Sequence, residues 1–152
     1  MDPMKTVETV SAEPIGAAVL DTNVVLDWLV FSNPRTALVA QALESGAMRW
    51  LSCEPMRSEL AHMLASRSLS AWSPDADAVL ATHDRLATLL EPPALPLVRL
   101  RCTDPDDQVF IDLALAQRAQ WLWTHDRALL KLARKAALLG TRILAPVAST
   151  DP

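Results

Sequence analysis

The chain predicts an α/β fold: a mainly parallel sheet with helices on both faces. Three observations carry this. Short apolar runs of strand length recur along the sequence. Each is followed by a segment whose apolar residues have helical spacing. Capping or turn residues mark most of the boundaries between them. With 152 residues, 51% hydrophobic and 21% charged, the chain has the size and composition of one globular domain. Residues 1–14, with Pro3 and Pro14, read as a loose arm, 15–148 as the domain and 149–152 as a tail.

The elements follow in order. IGAAVL, ending at Leu20, is a buried strand, and Asp21-Thr22-Asn23 caps the short helix VVLDWLVF. Asn33-Pro34 places a cap and a first-turn proline before a helix that runs to Gly46. MRWLS is the second strand. Glu54-Pro55 opens MRSELAHMLASR, and Ser73-Pro74-Asp75 opens a helix over DADAVLATHDRLATLL. These helices read as an insertion walling one side of a cleft. Three prolines between Glu91 and Pro96 mark a connector, after which LVRL is a strand or merely extended. Asp104-Pro105 opens DDQVFIDLALAQ, WLWT is a strand, Asp126 caps ALLKLARKAALL up to Gly140, and RILA is the last strand.

Composition excludes several classes of function. No apolar run is long enough to span a membrane, and the acidic N-terminus lacks the apolar core of a secretory signal. Three glycines cannot build a glycine-rich phosphate loop, and no Gly-x-Ser-x-Gly elbow is present. His62, His83 and His125 lack zinc-ligand spacing, and Cys53 and Cys102 read as free thiols of a reducing cytoplasm. A haloacid-dehalogenase-type phosphatase needs a second Asp two residues after the first, where Asn23 stands. The net charge of −4 argues against wrapping duplex nucleic acid, but not against a small local site.

The acids are unevenly placed. Asp21 and Asp126 each follow an apolar strand, and ligands of open parallel sheets bind beyond the carboxyl ends of the strands. Helix capping alone also accounts for either one. Asp107 leads a stripe with Phe110, Ile111 and Ala114, so it falls on the core-facing side of its helix, a costly place for a lone charge. Asp104 sits at the N-cap one turn earlier, while Asp106 and Asp112 point away and read as solvated. Glu59 borders the stripe of Met56, Leu60, Met63 and Leu64, as a surface residue with a buried stem also would. Four converging carboxylates would repel unless cations neutralised them, and an all-oxygen ligand set selects Mg²⁺ or Mn²⁺. Such ions suit an in-line displacement at phosphorus.

Among the remaining residues, Arg127, Lys131, Arg134, Lys135 and Arg142 are the densest basic cluster. Arg127 lies close enough to Asp126 to touch a phosphate, and the others read as a solvated face. His125 reads as a surface residue. Trp121 and Trp123 alternate along a strand and read as core. Trp28 and Trp72 fall on helices, open to stacking on bases or to a protein interface.

The segments VLDTNVVLDWLV, SCEPMRSELAHML and DPDDQVFIDLALAQRAQWLWTHDRALLKL, in this order, resemble the PIN-domain nucleases, and within them the PIN toxins of bacterial toxin–antitoxin pairs. The resemblance runs from about Ile15 to Pro146. It implies a three-layer α/β/α fold and Mg²⁺- or Mn²⁺-dependent hydrolysis of single-stranded RNA in the cytoplasm. It also implies an antitoxin protein partner and a homodimer. Its catalytic and metal-binding acids fall on Asp21, Glu59, Asp107 and Asp126, with Glu59 orienting or deprotonating the attacking water. Asp104, Thr22, Asn23 and Thr124 would support them. A further Asp of many relatives is replaced here by Ala128. The alternative is a PIN-like protein- or RNA-binding module with weak or no catalysis. The complete quartet favours the enzyme.

Overall fold

The computed structural model of the protein describes residues 16–94 and 99–147. The expected arm (1–14) and tail (149–152) lie outside these residues, as do Leu97 and Val98 of LVRL. Arg99 and Leu100 of that run are in no strand. Five strands form one sheet: β1 (Gly16–Leu20), β2 (Met48–Cys53), β3 (Ala87–Leu90), β4 (Trp121–Trp123) and β5 (Arg142–Leu144). Every neighbouring pair is parallel, and the order is β3-β2-β1-β4-β5. Between the strands run α1 (Thr22–Leu29), α2 (Ala37–Ser45), α3 (Glu54–Leu64), α4 (Ala76–Leu86), α5 (Gln108–Ala116), α6 (Arg127–Leu130) and α7 (Ala133–Leu138). This is the three-layer α/β/α arrangement.

The two layers of core follow from the period of two along each strand. On β1, Val19 faces one side with Leu51, Leu122 and Ile143, where α5 supplies Phe110, Ile111 and Leu113 and α6 supplies Leu129. Ala18 and Leu20 face the other side with Trp50, where α1, α2 and α4 supply Val24, Leu43 and Val79. Each such side chain, fully buried, stabilises the fold by about 2 kcal/mol. Gly46 ends α2 with φ of 81°, in the left-handed region where a side chain is strained.

Several expectations are corrected. ATLL is not the end of the preceding helix; it is β3, paired with β2 from Trp50↔Ala87 to Cys53↔Leu90. No Gly or Pro separates it from α4, so periodicity alone ran the helix on. The helices between β2 and β3 are therefore the crossover joining two parallel strands, not an insertion. The helix after Asp126 is broken in two, with a turn at Lys131 and Leu132. Asp112 is not solvated but only 7% exposed. It accepts from Arg99 at 2.9 and 3.3 Å and from Gln108 at 3.0 Å. Helix α5 is buried on more than one face, with all of Phe110 to Ala114 buried. An acid there needs a cation, and Arg99 from the preceding connector supplies it. Cys53 and Cys102 are buried free thiols, and burial pushes both above their ordinary range.

Candidate active site

The strand order runs outward from β1 to β2 and β3 on one side, then to β4 and β5 on the other. The reversal falls between β1 and β4, which pair up to Leu20↔Trp123. Such a switch point opens a crevice at the carboxyl ends of the strands. Asp21 and Thr124 are the residues next in line after those two strand ends, so the chain path itself delivers their side chains to the crevice.

Thr124, fully buried, organises this junction. Its hydroxyl donates to Asp21 Oδ2 at 2.7 Å and accepts from the backbone N–H of Asp126 at 2.9 Å. The other oxygen of Asp21 caps α1 by accepting from the N–H of Asn23 at 3.2 Å. Asp126 Oδ1 caps α6 by accepting from the N–H of Ala128 at 2.6 Å. Capping and site geometry thus coexist in the same carboxylates. Asp107, half-buried, ends the 3-10 turn Pro105–Asp107 that leads into α5. Carboxylate oxygens of Asp21, Asp107 and Asp126 all lie within 4.8 Å of one another.

A cleft of about 210 Å³ opens over this trio, lined also by Thr22, Asn23, Glu59, Met63, Asp104 and Asp106. Glu59 reaches the wall from α3 and accepts a hydrogen bond from the Thr22 hydroxyl, but it does not join the tight trio. Asp104 is exposed and caps the 3-10 turn through the N–H of Asp106 at 3.0 Å. Asp106 is exposed, as expected, and also stands at the edge of the cleft, in the tight turn before α5. Arg127 is exposed and does not line the cleft. His125 is partly buried rather than on the surface, with Nε2 3.0 Å from Asp27 Oδ2.

The electrostatics show what the trio lacks. Burial, then the nearby Asp126 and Glu59 charges, push the Asp21 carboxyl above its ordinary value, against the hydrogen bonds from Thr124 and Asn23. Asp107 is pushed up to about 8 by burial, by the hydrogen bond it shares with Asp126 and by the charge of Asp21. Asp126 is held low by that same hydrogen bond and by the N–H groups of Ala128 and Leu129. These shifts favour an Asp107 that keeps its proton beside a charged Asp126. No Lys or Arg lines the cleft among the described residues. Three crowded carboxylates with only oxygen donors fit a hard divalent cation, which would displace that proton.

Two other features have the look of sites. Ser52 Oγ lies 3.0 Å from His83 Nε2, and His83 Nδ1 lies 2.8 Å from Asp84 Oδ1, the order of a hydrolase triad. Yet Ser52 and His83 are each 2% exposed, and Asp84 is held by both nitrogens of an Arg57 fork. No substrate reaches that serine, and the chain of bonds ties α3 and α4 to the end of β2. A larger hollow, about 340 Å³, is lined by Leu38, Val39, Ala42, Ala47, Met48, Trp121 and Trp123. It is apolar and lies toward the opposite end of the strands, where β2 begins. Trp28 packs on Trp50 with centroids 5.7 Å apart, while Trp72 is 59% exposed beside Phe31.

Comparison with known proteins agrees with this geometry. A family model described as PIN domain matches residues 17–128, a span that contains Asp21, Glu59, Asp107 and Asp126. No curated protein sequence matches significantly. Among solved structures, a chain of VapBC2 from Rickettsia felis, crystallised bound to a DNA fragment from their promoter, superposes with a TM-score of 0.56. The identity is 14%, over 84% of this chain and 96% of that one, so the likeness is one of fold.

Proposed function

The chain belongs to the PIN-domain family, and from that premise we propose that it is an Mg²⁺- or Mn²⁺-dependent endoribonuclease acting on single-stranded RNA, the toxin half of a toxin–antitoxin pair. One observation carries the reading: the Asp21, Asp107 and Asp126 carboxylates converge within 4.8 Å at the switch point of the sheet, in a cleft that no Lys or Arg lines among the described residues. The toxin role and a protein antitoxin as partner draw support from the fold shared with VapBC2.

In this reading Asp21, Asp107 and Asp126 hold the ion. When bound, it supplies concentrated positive charge against the negative charge that develops at phosphorus. Thr124 fixes Asp21 and the backbone of Asp126 in mutual register, so that the ligands are set before substrate arrives. Glu59, oriented by the Thr22 hydroxyl, orients the attacking water and takes its proton. The water oxygen forms a bond to phosphorus as the bond to the leaving ribose oxygen breaks, and the proton ends on that oxygen. Asn23 and Asp104 complete the polar wall, and Arg127, next in the chain after Asp126, would meet a phosphate outside the cleft.

The test is cleavage of a panel of RNAs by purified protein with Mn²⁺, with Mg²⁺ and with EDTA, beside Asp21→Asn. Metal-dependent cutting that disappears in Asp21→Asn supports the proposal. Cutting that persists in EDTA or in Asp21→Asn overturns it.

A further inference from the structure

We propose that the exposed cations that follow Asp126 in the chain form a track for the phosphates of a single-stranded polynucleotide, so that the strand leaves the acid cleft along α6 and α7. The inference rests on the nuclease reading and adds the surface that holds the substrate and the direction it takes.

The charge distribution is the first ground. The chain carries a net charge of −4, yet Arg127, Lys131, Arg134, Lys135 and Arg142 stand in a stretch, Arg127 to Thr150, that holds no Asp or Glu. All five are exposed. Among the described residues none of them pairs with a carboxylate, whereas Arg57, Arg85 and Arg99 elsewhere do. A solvated face normally intersperses both signs. Helix dipoles account for only part of the pattern: Lys131 stands at the C-terminal end of α6 and Lys135 in the last turn of α7, where cations are favoured. Arg127 is the first residue of α6 and Arg134 the second of α7, at the ends that favour anions.

Placement is the second ground. The strip begins one residue after Asp126 and continues through α6, the turn at Lys131 and Leu132, and α7. The other walls of the cleft carry Glu59, Asp104 and Asp106, which repel a polyanion. The strip is therefore the side on which a strand held at the trio meets attraction. Between Arg127 and Arg142 there is no aromatic residue or histidine to stack on or read a base. Such a surface binds backbone and leaves sequence choice to the cleft.

The experiment uses binding alone. Fluorescence anisotropy follows a labelled single-stranded RNA of about 20 nucleotides in EDTA, across a series of salt concentrations. One protein carries Lys131→Gln, Arg134→Gln and Lys135→Gln; a control carries Arg35→Gln, Arg49→Gln and Arg67→Gln, the same charge removed elsewhere. The strip variant is expected to bind about tenfold more weakly, with its log–log salt slope reduced by about 2, while the control keeps the wild-type slope. Equal losses in both variants, unchanged binding in the strip variant, or no binding by wild type overturns the track. Hydrolysis plays no part, so a protein that binds along the strip but never cuts would refute the nuclease reading and leave the track standing.

Discussion

Asp21 and Asp112 are both buried aspartates, 3% and 7% exposed, and the protein treats them in opposite ways. Asp112 meets two of the guanidinium nitrogens of Arg99, Nε and Nη2, and the amide of Gln108. Gln108 also donates to the carbonyl of Leu100 and accepts from the N–H of Cys102, pinning the connector to α5. Every demand of that buried charge is met from within the chain. Asp21 instead meets Asp107 and Asp126, and its hydrogen-bond donors, Thr124 and Asn23, bring no positive charge. The chain sets Arg99 against one buried acid, whereas among the described residues no Lys or Arg lines the cleft that holds the cluster of three, and the proposed function rests on that difference. Burial therefore does not separate architecture from function here; what the acid faces does.

The contrast can be broken by exchanging charges. The largest effect expected is on activity: Asp21→Asn lowers RNA cleavage by about a thousandfold or more, equivalent to about 4 kcal/mol of transition-state stabilisation. Single-turnover kinetics with Mn²⁺ checks it. Asp112→Asn leaves cation binding intact and destabilises the fold by about 2 kcal/mol, because a partly buried Arg99 loses its counter-charge. Urea unfolding with an unchanged m-value measures this.

A smaller effect sharpens the difference through pH. The Asp107 carboxyl is raised from 3.8 to about 8, so the neutral form suits the metal-free fold. Stability from that form is complete below the unfolded value and is lost as pH rises through the folded one. The melting temperature of the metal-free protein accordingly falls by a few degrees as pH rises from about 4 to 8, and Asp107→Asn flattens that slope. Cation binding near neutral pH releases about one proton, read by calorimetry in buffers of different ionisation enthalpy. Smallest is the exposed pair Arg85–Glu44, where Arg85→Gln costs under about 0.5 kcal/mol.

Much of this was legible in the sequence, for physical reasons that also mark the limits. Asp21 and Asp126 were found because strand ends are visible as the ends of apolar runs. Asp107 was singled out because the apolar stripe of α5 extends back to it, although it ends the 3-10 turn before that helix. Asp112 was misread by the same logic: periodicity assumes one buried face, and α5 is covered on more than one. Its partner Arg99 lies 13 residues away, a contact no helical spacing encodes. Asp106 is exposed, as its phase implied, and its place at the edge of the cleft follows from the 3-10 turn before α5, which the spacing did not show. β3 was hidden by a helix that passes into a strand without Gly or Pro. The Asp27–His125 contact joins α1 to the loop after β4 and depends on β1 and β4 being neighbours, which only the folded sheet reveals.

The central claim is that the Asp21–Asp107–Asp126 cluster exists to hold a divalent cation. Isothermal titration of Mn²⁺ into wild type, Asp107→Asn and Asp112→Asn at pH 7.5 tests it most directly. The account predicts saturable binding to wild type and to Asp112→Asn, and its loss in Asp107→Asn while that protein remains folded. Undetectable binding to wild type, or equal binding by all three, would contradict it.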